Sequence, residues 1–487
     1  MSPPDNPDEV EVLLGSVLAT PWEQASSNFD AFPLPPRVEG GRRFRMRTSA
    51  LVALTLAACG PTADLDLALV QSEVIPTVFT ASVDGEAAGL DAVWVEFGLD
   101  GEFTHRAPLD LAAGPPWEID LLGMKSGSDY QVRIAIELEG ESYEGRSHSA
   151  STGMVPADFP DLSLERGSGE SFEGFLFTSV LGNASAAVIL DEDGDYVWWY
   201  QPDGIEMVGR TFPSRDGRSV YTMNLNPDGR RDGSMVVVSL DGSEIETTDL
   251  DYAHHEIYEH DDGTIAYLSK DPAMVEGSEV SGDSVVELSP DGSSTTIWTI
   301  WDYPDRMPYE TGGGGPALEW PHANALDYLP DEDVYLIGFL TMDAIARIDR
   351  ATGEIDWIMG GDNSDFQLSD GGTDLFDRTH QLHWLDDSVL VFVNGSQQGG
   401  ESYAVEYAVD EQNLEVESIW EYHSDPSVSC ISLGDVHRFD SGNTLITYSY
   451  SGLLQEVTPG GEPVWTLQAG AGGVISYVTP VDGLYGE

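Results

Sequence analysis

Six times between residues 193 and 465 the chain repeats one local pattern: a polar turn followed by a strand that usually carries tryptophan. The copies are Asp193-Gly194 leading to Trp198, Asp241-Gly242, Asp291-Gly292 leading to Trp298, Thr352-Gly353 leading to Trp357, Asp410 leading to Trp420 without the glycine, and Gly460-Gly461 leading to Trp465. They stand roughly 50 to 60 residues apart, inside the range of propeller blades. Asp-Gly between alternating strands signals a hairpin, because the turn needs residues that accept a positive φ. A second hairpin precedes the first in four units, at Asp216-Gly217, Asp262-Gly263, Asp387-Ser388 and Ser441-Gly442. Two hairpins make a four-stranded sheet, which cannot bury both of its faces alone; six such sheets set around an axis bury them against one another. The expectation is an all-β chain whose residues 160–487 form a six-bladed β-propeller. No segment reads as a long amphipathic helix.

Ahead of the repeats, residues 66–155 read as a small β-sandwich. Val93-Trp94-Val95-Glu96-Phe97 alternates as a strand, with Trp94 expected to face the core. The run from Leu122 through Tyr130 to Ile134 is similar to the fibronectin type III pattern, in which a leucine, a turn and a tyrosine precede a late strand; Tyr130 would tie its hydroxyl back to the backbone. Further upstream, residues 46–59 (MRTSALVALTLAAC) show a basic start, a short apolar run and small residues before Cys59. That is a secretory signal, too short for a permanent span. Residues 56–60 (LAACG) resemble a bacterial lipobox, which implies lipidation at Cys59, export, and attachment to the cell envelope on its periplasmic or surface side. Residues 1–45 then form an upstream extension, with Arg42-Arg43 leaving a twin-arginine signal as the alternative. With Cys59 lipidated, Cys430 is the remaining cysteine and has no intramolecular partner. It reads as a small buried residue, or else as a nucleophile.

The formal net charge is −65, and lysine occurs only as Lys125 and Lys270. Such a field repels nucleic acid and anionic lipid, so neither is an expected partner beyond the lipid anchor. An anionic substrate on this surface would need local cations. The acidic run Asp191-Glu192-Asp193-Gly194-Asp195 has a calcium-like look but lacks the spacing and terminal glutamate of an EF-hand loop, and reads as a hairpin turn.

Eight of the ten histidines fall in the second half of the chain, and several share positions in the repeat. His255 and His380 each lie seven residues before a hairpin aspartate, Asp262 and Asp387. His383 and His437 share a second register, and His322 precedes the hairpin around Asp331. The innermost strands of a propeller line its central channel, so imidazoles in register from different blades converge there. Clustered imidazoles suit nucleophilic catalysis through a ring nitrogen or transition-metal binding. No serine nucleophile elbow or phosphate-binding loop stands in the sequence.

Five stretches together resemble the bacterial arylsulfotransferase family: Trp320-Pro321-His322-Ala323-Asn324, Tyr335-Leu336-Ile337, residues 348–361 (IDRATGEIDWIMGG), Ser364-Asp365-Phe366, and Phe376 to His380 followed by Asn394-Gly395. The resemblance covers essentially the whole propeller and is densest over 320–395. It implies an exported protein with an N-terminal β-sandwich and a six-bladed propeller. It further implies a ping-pong sulfuryl transfer from an aryl sulfate to a phenol, with no nucleotide donor, cofactor or metal. His380 matches the nucleophile that becomes a sulfohistidine; His322 and His255, or its neighbour His254, match the supporting histidines. Asn324 falls in the substrate-binding motif. The sequence departs from the family at Leu340, where an arginine that binds the sulfate is usual, at Thr379 where glutamine is usual, and at Gln381 where aspartate is usual. Arg378, two residues before His380, is the candidate replacement cation. Three readings stay open: an arylsulfotransferase-like enzyme, a non-catalytic cell-surface binding propeller that has lost the sulfate-binding arginine, and a metal site built from the same histidines.

Overall fold

The computed structural model describes residues 65–485 apart from 183, 203–206, 226–232, 276, 308–319, 370, 373–374 and 396–399. Cys59, the signal segment 46–59 and the extension 1–45 lie outside the described residues. Among those described, regular structure is all strand apart from three short 3₁₀ turns.

Residues 65–151 form two facing sheets. One joins Leu65–Gln71, Phe79–Gly85 and Trp117–Leu121; the other sets Ala92–Leu99 between His105–Pro108 and Asp129–Leu138, with Glu141–Glu144 and His148–Ser151 beyond. Strand alternation fills the space between them with Val83, Val93, Val95, Phe97, Val132 and Ile134. Trp94 is therefore on the outer face, contrary to the expectation. It carries the Arg106 guanidinium 4.8 Å over its ring, beside Glu96, which pairs with Arg106 and Arg133. The inward set is the β-branched pair and Phe97, and the larger tryptophan is accommodated where a cation covers it. Tyr130 is buried, and its hydroxyl accepts a hydrogen bond from the Lys125 backbone N–H at 2.8 Å.

Six sheets follow in chain order, antiparallel apart from the short parallel pairing of Gln367–Leu368 with Glu415–His423 at the edge of the fifth, in a propeller-like arrangement. The six polar turns of the repeat each join the two outer strands of one sheet. The inner strands of the second to sixth sheets are Met207–Pro213, Ala253–Glu259, Ala323–Leu329, Thr379–Leu385 and Asp435–Arg438. The first sheet takes its innermost pieces, Val474–Ile475 and Thr479–Val481, from the C-terminal end of the chain; they pair with Phe175–Leu181. Conversely, Leu162–Arg166 adds an outermost strand to the sixth sheet. The ring is thus closed by an exchange of chain ends.

Each sheet buries both faces, which is why Val334–Phe339 and Ser388–Val393 are buried at every residue. Odd and even positions serve different neighbours. Phe177, Ile189 and Trp198 pack toward the second sheet, onto Val208, Val220 and Val236. Leu176, Val188 and Trp199 pack toward the sixth, onto Leu445, Leu454 and Trp465. Similar apolar clusters fill the interfaces between the second and third, third and fourth, fourth and fifth, and fifth and sixth sheets. Each fully buried Val or Leu side chain contributes about 1.5–3 kcal/mol, so six continuous seams hold the inner strands in fixed register.

The sandwich is fixed to the first two sheets. Ile75, Val78 and Leu122 join their apolar seam. Lys125 stands among Asp191, Asp193 and Asp195, at 3.3, 2.6 and 2.8 Å. The calcium-like acidic turn is a hairpin whose charge is met by a lysine from the neighbouring unit, with Arg166 adding a further contact to Asp193.

Candidate functional site

The inner strands of four consecutive sheets are interrupted by β-bulges, and apart from Gly209 the bulged residues are polar. In the second sheet the bulge holds Gly209 and Arg210, in the third His254, His255 and Glu256, in the fourth Asn324, and in the fifth His380 and Gln381. A bulge re-aims side chains that regular pleating would turn into a blade seam. Around this ring Tyr252 (φ 53°), His255 (55°), His322 (58°), Arg378 (60°) and Leu433 (58°) hold left-handed backbone. Non-glycine residues in that region cost on the order of 1–3 kcal/mol each and gather at functional sites.

The bulges bring the expected histidines together. The His255 ring centroid lies 5.1 Å from His254, 5.0 Å from His322 and 6.4 Å from His380. Both alignments of the histidine pair with His380 are real. The third sheet's bulge is one residue longer than the fifth's, so counting from the turn matches His255 to His380, while counting from Ala253 and Thr379 matches His254 to it. His383 and His437 stack on each other at 4.8 Å, one register further along the strands.

Hydrogen bonding sets the tautomer of His380, which is 2% exposed. Asn394 donates its Nδ2 protons to the carbonyls of Cys430 (2.7 Å) and Leu433 (2.8 Å). Its Oδ1 is then the acceptor facing His380 Nδ1, so Nδ1 carries the proton. Nε2 consequently holds the lone pair, and it accepts a hydrogen bond from the Leu433 N–H at 3.1 Å. Burial is the main force lowering the His380 pKa to about 3, with His322 and Arg378 pushing it the same way against the Asn394 hydrogen bond. The ring is neutral at pH 7.

Arg378 leads into the His380 bulge. Its backbone N–H donates to Asp343 Oδ1 at 2.5 Å, and burial lowers its pKa. Asn324 is fully buried and ties the fourth sheet to the fifth through Nδ2 donating to Thr379 O at 2.7 Å. Its Oδ1 has no hydrogen-bond partner among the described residues. Leu340 is 5% exposed, and its N–H donates to His322 O. One blade earlier, the Lys270 N–H makes the same bond to Tyr252 O, and one blade later Asn394 makes it to Arg378 O. Lys270 is therefore the positional counterpart of Leu340 in the neighbouring sheet. It is buried, with Nζ 3.2 Å from Asp283 Oδ1, and the same oxygen lies 3.1 Å from His254 Nε2. Sequence reasoning missed Lys270 and Asp283 as site residues, although a lysine in a chain with only two of them was a usable signal.

Beneath the histidines sits a second polar layer. Gln381 Nε2 donates to Glu256 Oε1, and Arg210 stands 3.6 Å from Glu256 and 3.4 Å from Asp435. Burial raises the Glu256 pKa to about 8, against the attraction of Arg210. Cys430 is fully buried and its thiol is pushed up to about 11 by burial, which suits packing and opposes nucleophilic use.

The whole arrangement joins buried His254 and His380 to half-buried His255 and His322, with one lone pair fixed on His380 Nε2, flanked by Lys270 and Arg378. Chemically it can present a nitrogen nucleophile to an electrophile and move a proton beside it.

The solved structures that the chain is similar to include distant likenesses. An auxiliary nutrient binding protein from Bacteroides ovatus is 9% identical, with a TM-score of 0.36 over 85% of this chain and 90% of that one. The periplasmic gluconolactonase of Pseudomonas aeruginosa is 13% identical, with a TM-score of 0.37 over 63% and 99%. A Myceliophteria thermophila Cps50 (Swd1) β-propeller domain is 14% identical, with a TM-score of 0.36 over 63% and 89%. No curated protein matches the chain. The family model described as Arylsulfotransferase (ASST) matches residues 168–470, well over half of the sequence and all four of the converging histidines, and the protein belongs to the arylsulfotransferase family.

Proposed function

We propose that the chain transfers a sulfuryl group from an aryl sulfate to a phenol through a sulfohistidine at His380. One observation carries the reading: Asn394 locks His380 as a neutral ring with its lone pair on Nε2, in a ring that stands 6.4 Å from His255, which in turn meets His254 and His322. In the first step Nε2 attacks sulfur, the sulfur–aryl oxygen bond breaks, and a phenolate leaves with the electron pair. In the second a phenol oxygen attacks sulfur, the N–S bond breaks, and its electrons return to Nε2. A neighbouring imidazole takes the phenol's proton. Attack requires Nε2 to release the Leu433 N–H, an exchange on the order of 1 kcal/mol. Lys270 and Arg378 supply positive charge in a strongly acidic protein. His322 is the supporting histidine that would meet the sulfuryl oxygens, as the family resemblance implies, and Asn324 ties the fourth sheet to the strand that carries His380.

The test is turnover of a chromogenic aryl sulfate with an added phenol. Loss should be near total in His380→Ala, since the covalent intermediate is gone; unchanged turnover there removes the mechanism. A second reading, a non-catalytic binding propeller, is favoured by Leu340 at the usual arginine position and by the engagement of both His380 ring nitrogens. Saturable binding of an aryl sulfate without turnover would select it.

The same proposal places the protein outside the cytoplasm, held by lipid on Cys59, which the signal-like run 46–59 supports. The N-terminal unit is read as fibronectin type III-like, supported by its two-sheet strand order and by the Tyr130 hydroxyl bound to the Lys125 backbone.

A further inference from the structure

Three side chains outside the nucleophile form a chain of contacts into the histidine cluster. Asp283 is fully buried in the third sheet. Its Oδ2 accepts from the Ala323 N–H of the fourth sheet at 2.6 Å. Its Oδ1 faces His254 Nε2 at 3.1 Å and Lys270 Nζ at 3.2 Å; both contacts lie off the ideal hydrogen-bond direction. His254 Nδ1 in turn lies 2.8 Å from His255 Nδ1.

These contacts fix proton positions. An ionised carboxylate only accepts, so the His254 nitrogen facing it carries the proton. His254 is held neutral, its pKa lowered to about 4 by burial first and by Lys270 next. Its Nδ1 is therefore a bare acceptor. The His254–His255 contact then requires His255 Nδ1 to donate, which leaves the lone pair of His255 on Nε2. The groups acting on the His255 ring are His254, His322, His380 and Lys270.

We infer that Asp283 and His254, with Lys270 balancing the carboxylate, are positioning residues that hold His255 as the Nδ1–H tautomer, making His255 Nε2 the base that accepts the phenol's proton. The inference rests on the sulfuryl-transfer reading. In the second half-reaction the phenol O–H bond breaks toward His255 Nε2 as the oxygen bonds to sulfur and the N–S electrons return to His380. The proton on His255 then passes to the next leaving phenolate or to water.

Asp283→Asn inverts this chain. The Ala323 N–H claims the amide oxygen, so the amide NH₂ faces His254 Nε2. His254 must then protonate Nδ1 and donate to His255 Nδ1, which moves the His255 proton onto Nε2 and removes the base. Lys270→Met is added so that no ammonium opposes the new NH₂. Lys270→Met alone measures what losing that cation costs; relative to it, the double variant should form sulfohistidine from 4-nitrophenyl sulfate, whose leaving group departs unprotonated, at the same rate. Transfer from the sulfohistidine to a weakly acidic phenol should fall about 10²-fold, the scale of one lost base, and should recover toward alkaline pH, where the phenol ionises itself. Equal loss in both half-reactions, or loss in neither, overturns the relay. Histidine ¹⁵N spectra of the wild-type protein provide a readout independent of activity: His254 should be protonated on Nε2 and His255 on Nδ1, and the reverse overturns the inference. Absence of any sulfohistidine in the wild type would sink the sulfuryl-transfer reading, while the spectra would still decide the relay.

Discussion

Asn394→Ala tests how the nucleophile is prepared. Asn394 is 1% exposed and makes three side-chain hydrogen bonds, to Cys430 O, Leu433 O and His380 Nδ1–H. Each such bond contributes about 1 kcal/mol net, and a partner left buried and unpaired raises that toward 1–3 kcal/mol. With three partners orphaned, the expected loss is about 3–5 kcal/mol, visible as a lower midpoint in urea denaturation. The kinetic effect is separate. Without Oδ1 the His380 proton is free to move to Nε2, and the loop at Leu433 loses its tie to the ring. Single-turnover formation of sulfohistidine should fall about 10²-fold, as expected when a reacting group loses its orientation. An Asn394→Ala protein with the wild-type midpoint and wild-type single-turnover rate would refute the tautomer argument.

Acid should unfold this protein earlier than its carboxylates would suggest. His254, His380, His383 and His437 have folded pKa values lowered to about 4, 3, 4 and 3, chiefly by burial. The unfolded chain binds protons first, so stability is full above pH about 6.5 and falls as pH drops toward about 4, by on the order of 2 kcal/mol per imidazole at pH 5; denaturation midpoints at pH 7 and 5 check it, and equal midpoints contradict it. Glu256 works in the opposite direction. Its carboxyl is protonated in the fold up to about pH 8, so it costs stability as pH rises from about 4.5 to 8; Glu256→Gln should keep the Gln381 bond, match the wild type near pH 4.5 and exceed it at pH 9. Gly434→Ala should destabilise by about 1–3 kcal/mol or more, because φ is 126° and an added Cβ would stand 2.2 Å from the Phe392 ring. It should also slow sulfohistidine formation by shifting Leu433; a thermal melt and a single-turnover assay read both.

The radial architecture was legible because hairpin chemistry is local. Asp-Gly turns and tryptophan-bearing outer strands recur whatever the tertiary setting, and all six outer hairpins fall where the repeat put them. Ring closure was not legible, since Thr479–Val481 pairs with Phe175–Leu181 across some 300 residues, and pairing at that separation leaves no periodic trace. Trp94 was misplaced for a related reason: alternation assigns two faces but not which is inner, and bulk alone chose wrongly. At the site, the turn register brought out His255 and His380, and family-like motifs added His322, His254 and Asn324. The bulges stayed hidden because an extra residue in a strand has no sequence signature. They decide that His254 and His255 both enter the cluster, and they place Lys270 and Asp283 behind them.

The most direct test is intact-mass spectrometry of residues 61–487 mixed with an aryl sulfate and quenched at alkaline pH, where a sulfohistidine survives. The account predicts a gain of one sulfuryl group in the wild type and none in His380→Ala. No adduct across several aryl sulfates, or an adduct that persists in His380→Ala, would contradict it.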